Sequence, residues 1–130
     1  MQLLVGLFIL GLDQLTKRLL FQEATLNTGL AFGLLAEQPV LVLGLLGLIL
    51  ILLFIWYARS AELRQTRVGQ LAWAMVLAGL VSNLVDRIVI GAVVDPLSVG
   101  SWFPNFNLAD SAIVVGLILF LFPTRPKLST

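Results

Sequence analysis

Residues 40–58 read VLVLGLLGLILILLFIWYA, and no charged residue lies between Glu37 and Arg59. An α-helix needs about 20 consecutive apolar residues to cross the hydrocarbon core of a bilayer. An uncharged run of nearly that length predicts a membrane-spanning helix.

Three further apolar segments lie on either side of this run, at about 3–20, 68–90 and 108–122. The chain is therefore predicted to be an all-α membrane protein, a single domain of 130 residues with four transmembrane helices. Segment 21–39 has a residue mixture that suits turns and short strands, and segment 91–107, with aromatic residues beside turn formers, suits a loop at the level of the headgroups. A cleavable signal peptide is the alternative for the first segment, but its amino end has no basic region.

The composition indicates a lipid environment. Apolar residues make up 59% of the sequence, against about 45–50% in an ordinary soluble domain, and the mean hydropathy is +1.04. A soluble core of this size could not bury so much apolar surface. The net charge of +1 argues against a nucleic-acid partner, because the sequence offers no basic block for one.

Basic residues near the helix ends predict the orientation in the membrane. The link between the second and third segments contains Arg59, Arg64 and Arg67, and the tail contains Arg125 and Lys127. We expect both regions in the cytoplasm, so that both termini lie inside and the two outward loops face the other side. Lys17 and Arg18, at the outer end of the first segment, count against this orientation. Asp13 lies four residues before Lys17 on the same helix face and can neutralise it.

The sequence contains neither His nor Cys. This excludes a Ser-His-Asp triad, a thiolate nucleophile and the usual His/Cys zinc sites. Any catalysis must use Asp, Glu, Lys, Ser, Thr or Tyr side chains, and we expect no metal or organic cofactor.

Polar side chains are predicted at the outward ends of the helices. An ionisable residue at the centre of a membrane helix costs about 2.5–3.5 kcal/mol and usually pairs, lines a polar cavity or does chemistry. The residues concerned are Asp13, Lys17, Asn83, Asp86, Arg87, Asp95 and Asp110. Asp13 with Lys17, and Asp86 near Arg87, are best explained as structural pairs or caps. Asn107 stands in a typical capping position, whereas Asp95 has no basic residue near it in sequence and is the first candidate for catalysis.

A pair of carboxylates held close together in a partly dry site does not ionise completely. One member keeps a proton while the other can deprotonate water. Such a pair can hydrolyse an amide without a protein nucleophile. Spacing alone does not show whether Asp95 and Asp110 meet.

Five motifs follow one another over nearly the whole chain. They are Asp13-Gln14-Leu15-Thr16-Lys17, Asn27-Thr28-Gly29-Leu30-Ala31-Phe32-Gly33, Gly79 through Asn83-Leu84-Val85-Asp86-Arg87, Val93-Val94-Asp95, and Phe106-Asn107-Leu108-Ala109-Asp110-Ser111. Each motif alone is a weak signal. Together and in this order they resemble the bacterial lipoprotein signal peptidases, also called signal peptidase II.

The resemblance implies an aspartyl endopeptidase with four membrane helices, a small extracytoplasmic β element and a loop lid. Carried over residue by residue, the catalytic pair falls on Asp95 and Asp110. The residues implied to shape the substrate site are Asn27, Gly29, Asn83, Arg87 and Asn107. Asp13 and Lys17 match positions that support the fold, and we take Asp86 to be structural as well.

The same resemblance implies the setting of the reaction. The enzyme would lie in the bacterial cytoplasmic (inner) membrane, with its active site near the outer face. It would remove the signal peptide from a prolipoprotein whose cysteine carries a diacylglyceryl group. Membrane lipids and a cyclic-peptide inhibitor of the globomycin type are the other implied partners, and we expect a monomer.

Departures from the family pattern are few. Ala78 and Ser82 stand where glycines are common, Pro96 follows Asp95, and the loop from there to Phe106 looks short. They bear on the lid and on inhibitor affinity, not on the reaction.

Two other interpretations stay open. Lys17 could form a Ser-Lys dyad with Ser82, Ser98, Ser101 or Ser111, although the neighbouring Asp13 favours a charged ammonium, which is not a base. A four-helix membrane protein with buried charges could also be a transporter subunit or a structural partner without enzymatic activity.

Overall fold

The computed structural model describes residues 1–122, apart from the side chain of Ala31. Within them the helices are α1 (Gln2–Leu19), α2 (Pro39–Arg59), α3 (Ala61–Gln65), α4 (Arg67–Val89) and α5 (Leu108–Phe120). Two short strands, β1 (Thr25–Asn27) and β2 (Val93–Asp95), and single 3-10 turns at Phe21–Glu23 and Ala31–Gly33 complete the regular structure. The tail residues Arg125 and Lys127, on which part of the predicted orientation depends, lie outside the described residues, as does Pro123.

The chain is mostly helical with a small two-stranded sheet, which confirms the coarse fold prediction. Helices α1, α2, α4 and α5 begin and end within two residues of the four predicted segments. Helices α2 and α4 are long and apolar enough to cross a bilayer, whereas α5 has 13 residues. A count of four spanning helices therefore stays a prediction. The short helix α3, in the link between α2 and α4, was not predicted.

Helix α4 is the centre of the fold and packs against α1, α2, α3 and α5. Small residues allow its backbone to approach its neighbours closely. A Cβ atom built on Gly79 would lie 2.5 Å from the Ala109 carbonyl oxygen, and one built on Gly116 would lie 2.8 Å from the Ala72 carbonyl oxygen. Both glycines therefore hold α4 and α5 together at a distance that no larger residue permits.

Helix α2 has the opposite character, because only Val42 and Tyr57 are buried along its length. Large apolar side chains also project from α1 and α5, among them Leu3, Phe8 and Leu117. Exposed apolar surface of this extent suits contact with lipid tails.

The two outward segments are joined by the sheet. Strand β1 pairs antiparallel with β2, with Thr25 opposite Asp95 and Asn27 opposite Val93. The following loop closes on itself through an antiparallel bridge between Leu97 and Phe106. This arrangement places Asp95, the last residue of β2, close to the first turn of α5.

Candidate active site

Asn107 fixes the start of α5. Its Oδ1 accepts a hydrogen bond from the backbone N–H of Asp110 at 2.8 Å, and its own N–H donates to Asp110 Oδ2 at 3.3 Å. This reciprocal pair is a capping box, which satisfies two backbone donors at the helix amino end. The predicted capping role of Asn107 is confirmed, and the cap holds the Asp110 carboxylate in the first turn.

The same side chain reaches the other aspartate. Asn107 Nδ2 donates to Asp95 Oδ1 at 2.7 Å and also lies 3.1 Å from Asn83 Oδ1 and 3.3 Å from the Val94 carbonyl oxygen. Asn107 is completely buried. One asparagine therefore contacts both Asp95 and Asp110, which are 15 positions apart in sequence.

Asn83, on α4, supports Asp110 from the other side. Its Nδ2 donates to Asp110 Oδ1 at 2.8 Å, while its Oδ1 accepts from Lys17 Nζ at 2.9 Å. Because Lys17 can only donate, it fixes which end of the Asn83 amide faces Asp110.

Asp13, Lys17 and Asp86 form a buried ion cluster behind these residues. Lys17 Nζ lies 2.7 Å from Asp13 Oδ2 and 2.8 Å from Asp86 Oδ2. All three residues are at most 2% exposed. The cluster links α1 to α4, and the unused oxygens of both carboxylates also find donors within the fold.

Asp86 and Arg87 do not form the pair that their adjacency suggested. Asp86 pairs with Lys17, because the two side chains meet between α4 and α1. In the described part of the chain, Arg87 has no carboxylate within ion-pair distance. Its Nη2 donates instead to the Gly29 carbonyl oxygen at 2.6 Å and its Nη1 to the Asn83 carbonyl oxygen at 3.3 Å.

A tight turn follows β1 and presents that Gly29 carbonyl. Asn27 Oδ1 accepts from the Gly29 N–H at 3.0 Å, which is the local side-chain bond that favours asparagine in turns. A Cβ atom on Gly29 would lie 2.5 Å from the Leu34 carbonyl oxygen. Glycine is therefore required where the chain folds back on itself.

A cavity of about 760 Å³ opens between α2, α4, α5 and the two outward segments. Its polar lining includes Asn27, Asn83, Arg87, Asp95 and Asp110, and its apolar lining includes Leu46, Leu80, Ile113, Val114 and Phe106. A pocket with a few converging polar groups in an apolar wall is the usual form of a binding site. The structure thus brings both proposed catalytic aspartates to one cavity, with Asn27, Asn83 and Arg87 beside them.

The surroundings of Asp95 change its acidity. Burial, followed by the negative charge of Asp110, raises the pKa of Asp95 from the ordinary 3.8 to about 6. A carboxyl in this state retains a proton far more readily than one in water, which acid–base catalysis at a carboxyl pair requires.

The geometry gives no support to a Ser-Lys dyad. The ammonium group of Lys17 can donate three hydrogen bonds, and three acceptors surround it. They are the two carboxylates of the ion cluster and Asn83 Oδ1. Ser82 Oγ donates to Asp13 Oδ2 at 2.7 Å rather than to the lysine. Ser98 and Ser101 are exposed in the outward loop, and Ser111 Oγ bonds the Asn107 carbonyl.

Two polar contributors were missed from the sequence. Gln14 Nε2 donates to Asp86 Oδ1 at 2.8 Å and to Ser82 Oγ at 2.9 Å. Both residues lie within the quoted motifs, but Ser82 was considered only as a small packing residue or a nucleophile. A polar residue at a helix–helix contact was the available signal. Within residues 1–122, no group of three or more acidic side chains is arranged to hold a metal ion.

The amino-acid sequence of the chain is similar to that of a known protein family. The family model described as "Signal peptidase (SPase) II" matches residues 5–124. The chain belongs to the signal peptidase II family. The resemblance found in the five motifs is thereby confirmed.

Relatives named "Lipoprotein signal peptidase" match over much of the chain. The protein of Shouchella clausii is 34% identical and the alignment covers 93% of this chain and 90% of the relative. That of Moorella thermoacetica is 36% identical, with 90% and 87% covered. That of Dehalococcoides mccartyi is 38% identical, with 71% of this chain and 58% of the relative covered.

Two solved structures of bacterial membrane enzymes are similar to this chain. A bacterial membrane enzyme determined by the in meso method at 2.3 Å has a TM-score of 0.76 and 26% identity, covering 92% of this chain and 84% of that one. A second, determined at 1.9 Å, has a TM-score of 0.68 and 25% identity, with 92% and 89% covered.

Proposed function

We propose that this signal peptidase II removes the signal peptide from prolipoproteins by an aspartyl mechanism, with Asp95 and Asp110 as the catalytic pair. The observation that supports the pair most directly is the position of Asn107, which hydrogen-bonds both carboxylates at the rim of one cavity. That contact holds two acids from different elements beside the same cavity.

The proposed reaction uses one water molecule and one shared proton. The ionised carboxylate takes a proton from water while the water oxygen attacks the scissile carbonyl carbon. The protonated carboxyl donates to the carbonyl oxygen, where negative charge develops. Collapse of the tetrahedral intermediate breaks the C–N bond: the leaving amine receives a proton from the pair, and one hydroxyl of the intermediate returns its proton to the pair, which again holds one proton. The raised pKa of Asp95 supports a pair that keeps one proton up to about pH 6.

The remaining polar residues of the cavity would orient the peptide. Arg87 and Asn83 line the cavity from α4, while Asn27 lines it from the turn that it forms with Gly29. Together they can hold an extended peptide backbone, whose N–H and carbonyl groups need partners once they leave water.

We propose that the substrate carries a diacylglyceryl-modified cysteine. Asn83 lies six residues before the end of α4 at Val89, which is about 9 Å along the helix. Asn83 hydrogen-bonds Asp110, so the two aspartates would lie at this depth, below the headgroups. At that depth the acyl chains of a lipidated cysteine can stay in the bilayer. Segment 91–107 would act as a lid over them.

The proposed setting is a monomer in the bacterial inner membrane, crossing it four times with both termini in the cytoplasm and the site near the outer face. Membrane lipids would surround the exposed apolar faces of α1, α2 and α5. We further propose that a cyclic peptide of the globomycin type competes with the prolipoprotein for the cavity.

The deciding experiment compares cleavage of a diacylglyceryl-modified prolipoprotein by the wild type, Asp95→Asn and Asp110→Asn. Each substitution retains the size and the hydrogen-bond acceptor but cannot take up or release the catalytic proton. We expect kcat to fall at least about 1,000-fold in both, as the loss of an acid–base group together with water activation predicts. Glu62→Gln, on the exposed surface of α3, controls for removal of a carboxylate. Near-normal cleavage by either folded aspartate variant rejects the pair.

A further inference from the structure

Each proposed catalytic aspartate follows a residue whose backbone is held by the ion cluster. The Val94 N–H, just before Asp95, donates to Asp86 Oδ2 at 3.1 Å. The Ala109 N–H, just before Asp110, donates to Asp13 Oδ1 at 2.8 Å. Two carboxylates from two different helices therefore anchor the two catalytic segments at equivalent positions.

The two anchors are tied to each other through Lys17. Its Nζ contacts Asp13 Oδ2 at 2.7 Å and Asp86 Oδ2 at 2.8 Å, so an unbroken polar chain runs from the backbone of β2 to the backbone of α5. Lys17 also orients the Asn83 amide that donates to Asp110.

A purely structural role does not explain this arrangement well. Burying three charges is expensive, and packed apolar residues usually join helices at least as well. Within the described residues, α4 and α5 already pack through small residues such as Gly79 and Gly116, without any charge. What a rigid charged tie adds is a fixed geometry between two backbone points.

We propose that the ion cluster of Asp13, Lys17 and Asp86 positions the catalytic pair by fixing β2 relative to the first turn of α5, and thus the separation of the two carboxyls. The proposal rests on the proposed function, because it takes Asp95 and Asp110 to be the reacting groups. None of the three residues lines the cavity, so they act through the backbone segments and the Asn83 side chain that they hold.

The hydrogen-bond pattern makes the two acidic anchors respond differently to asparagine. In Asp86 one oxygen, Oδ2, accepts from both Lys17 and Val94. An asparagine at this position can therefore keep both of these bonds with its single oxygen and loses only the bond from Gln14 Nε2 to Oδ1. In Asp13 the two bonds use different oxygens, Oδ2 for Lys17 and Oδ1 for Ala109. An asparagine there must lose one of them.

The test measures kcat and KM for the lipid-modified prolipoprotein with Asp13→Asn, Asp86→Asn and Asp86→Ala, each corrected for the folded fraction. A misplacement of about 1 Å can cost roughly 100-fold in rate. We expect kcat to fall about 100-fold in Asp13→Asn and Asp86→Ala, and less than about fivefold in Asp86→Asn. KM should change less than about threefold throughout, because the cavity that binds the peptide is intact.

Gly116→Ala is the matched control. Its Cβ atom would lie 2.7 Å from Val76 Cγ2 and would loosen the α4–α5 packing away from the ion cluster. It should lower the melting temperature while the kcat of the folded protein stays at the wild-type value. A purely structural ion cluster would give the aspartate variants the same behaviour as this control.

The outcomes separate the two proposals. One outcome would reject positioning and leave the catalytic pair standing: the wild type cleaves, Asp95→Asn is inactive, and the folded Asp13→Asn and Asp86→Ala variants keep a normal kcat. If Asp95→Asn cleaves normally, the catalytic pair itself is wrong. If one of Asp13→Asn and Asp86→Ala does not fold, the other decides: a kcat about 100-fold below wild type supports positioning, and a kcat near wild type overturns it.

Discussion

Asn107 shows how much a single side chain can determine at this site. Its oxygen caps α5 and its nitrogen binds Asp95, so one amide organises both carboxyls. Its position before a helix made the cap predictable from the sequence. Its reach to Asp95 was not predictable, because that contact depends on the path of β2 and the loop after it.

Asp95 should make the stability of the protein depend on pH. Its folded-state pKa of about 6 lies above the ordinary 3.8. The ionised group therefore destabilises the folded chain above about pH 6, and this destabilisation disappears as the pH falls below about 4. We expect Asp95→Asn to melt at a higher temperature than the wild type at about pH 8, and the difference to vanish near pH 4, in thermal unfolding in detergent.

Glu62→Gln, which removes an exposed carboxylate on α3, should show no such gain at either pH. An equal gain for Asp95→Asn at both pH values, or none at the higher one, would contradict the burial of an ionised Asp95.

At the level of elements, uninterrupted apolar runs made the long helices predictable. The 19-residue apolar run in α2, with Glu37 and Arg59 as the nearest charges on either side, carries that information locally. Strands β1 and β2 have three residues each and pair across some 70 positions, so the local pattern indicated short strands in 21–39 but neither β2 nor the pairing. The same limit explains Asp86, whose partner Lys17 lies on another helix while Arg87 is its neighbour in sequence.

The turn after β1 offers a test at this scale. A methyl group on Gly29 would meet the Leu34 carbonyl oxygen at 2.5 Å and the backbone of Gly33 at 2.8 Å, so the turn must shift. Arg87 would then lose its bond to the Gly29 carbonyl. We expect Gly29→Ala to lower kcat/KM for the prolipoprotein at least about tenfold, because the turn borders the cavity.

Gly47→Ala provides the comparison, since no atom lies within 4 Å of the added methyl group on α2. It should leave cleavage unchanged and stabilise its helix by about 0.5–1 kcal/mol. Equal activity in the two glycine variants would show that the turn does not contribute to the site.

For the whole molecule, the sheet constrains the topology. Since β1 follows α1 and β2 follows α4, the ends of these two helices must lie on the same side as the aspartates. Helix α3 lies at the opposite end, with Arg59, Arg64 and Arg67 around it. Lys17, which counted against the predicted orientation, is neutralised in the ion cluster and no longer opposes a cytoplasmic location for α3.

The absence of cysteine from the sequence allows this orientation to be measured directly. Single cysteines introduced at exposed positions react with a membrane-impermeant maleimide only on the outer side of intact cells. We expect Ser98→Cys and Ser101→Cys, in the outward loop, to be labelled in intact cells. Glu62→Cys, on α3, should be labelled only after the membrane is permeabilised. The reverse pattern would place the aspartates on the cytoplasmic side, where they could not act on a prolipoprotein after its export. That result would overturn the proposed location of the active site.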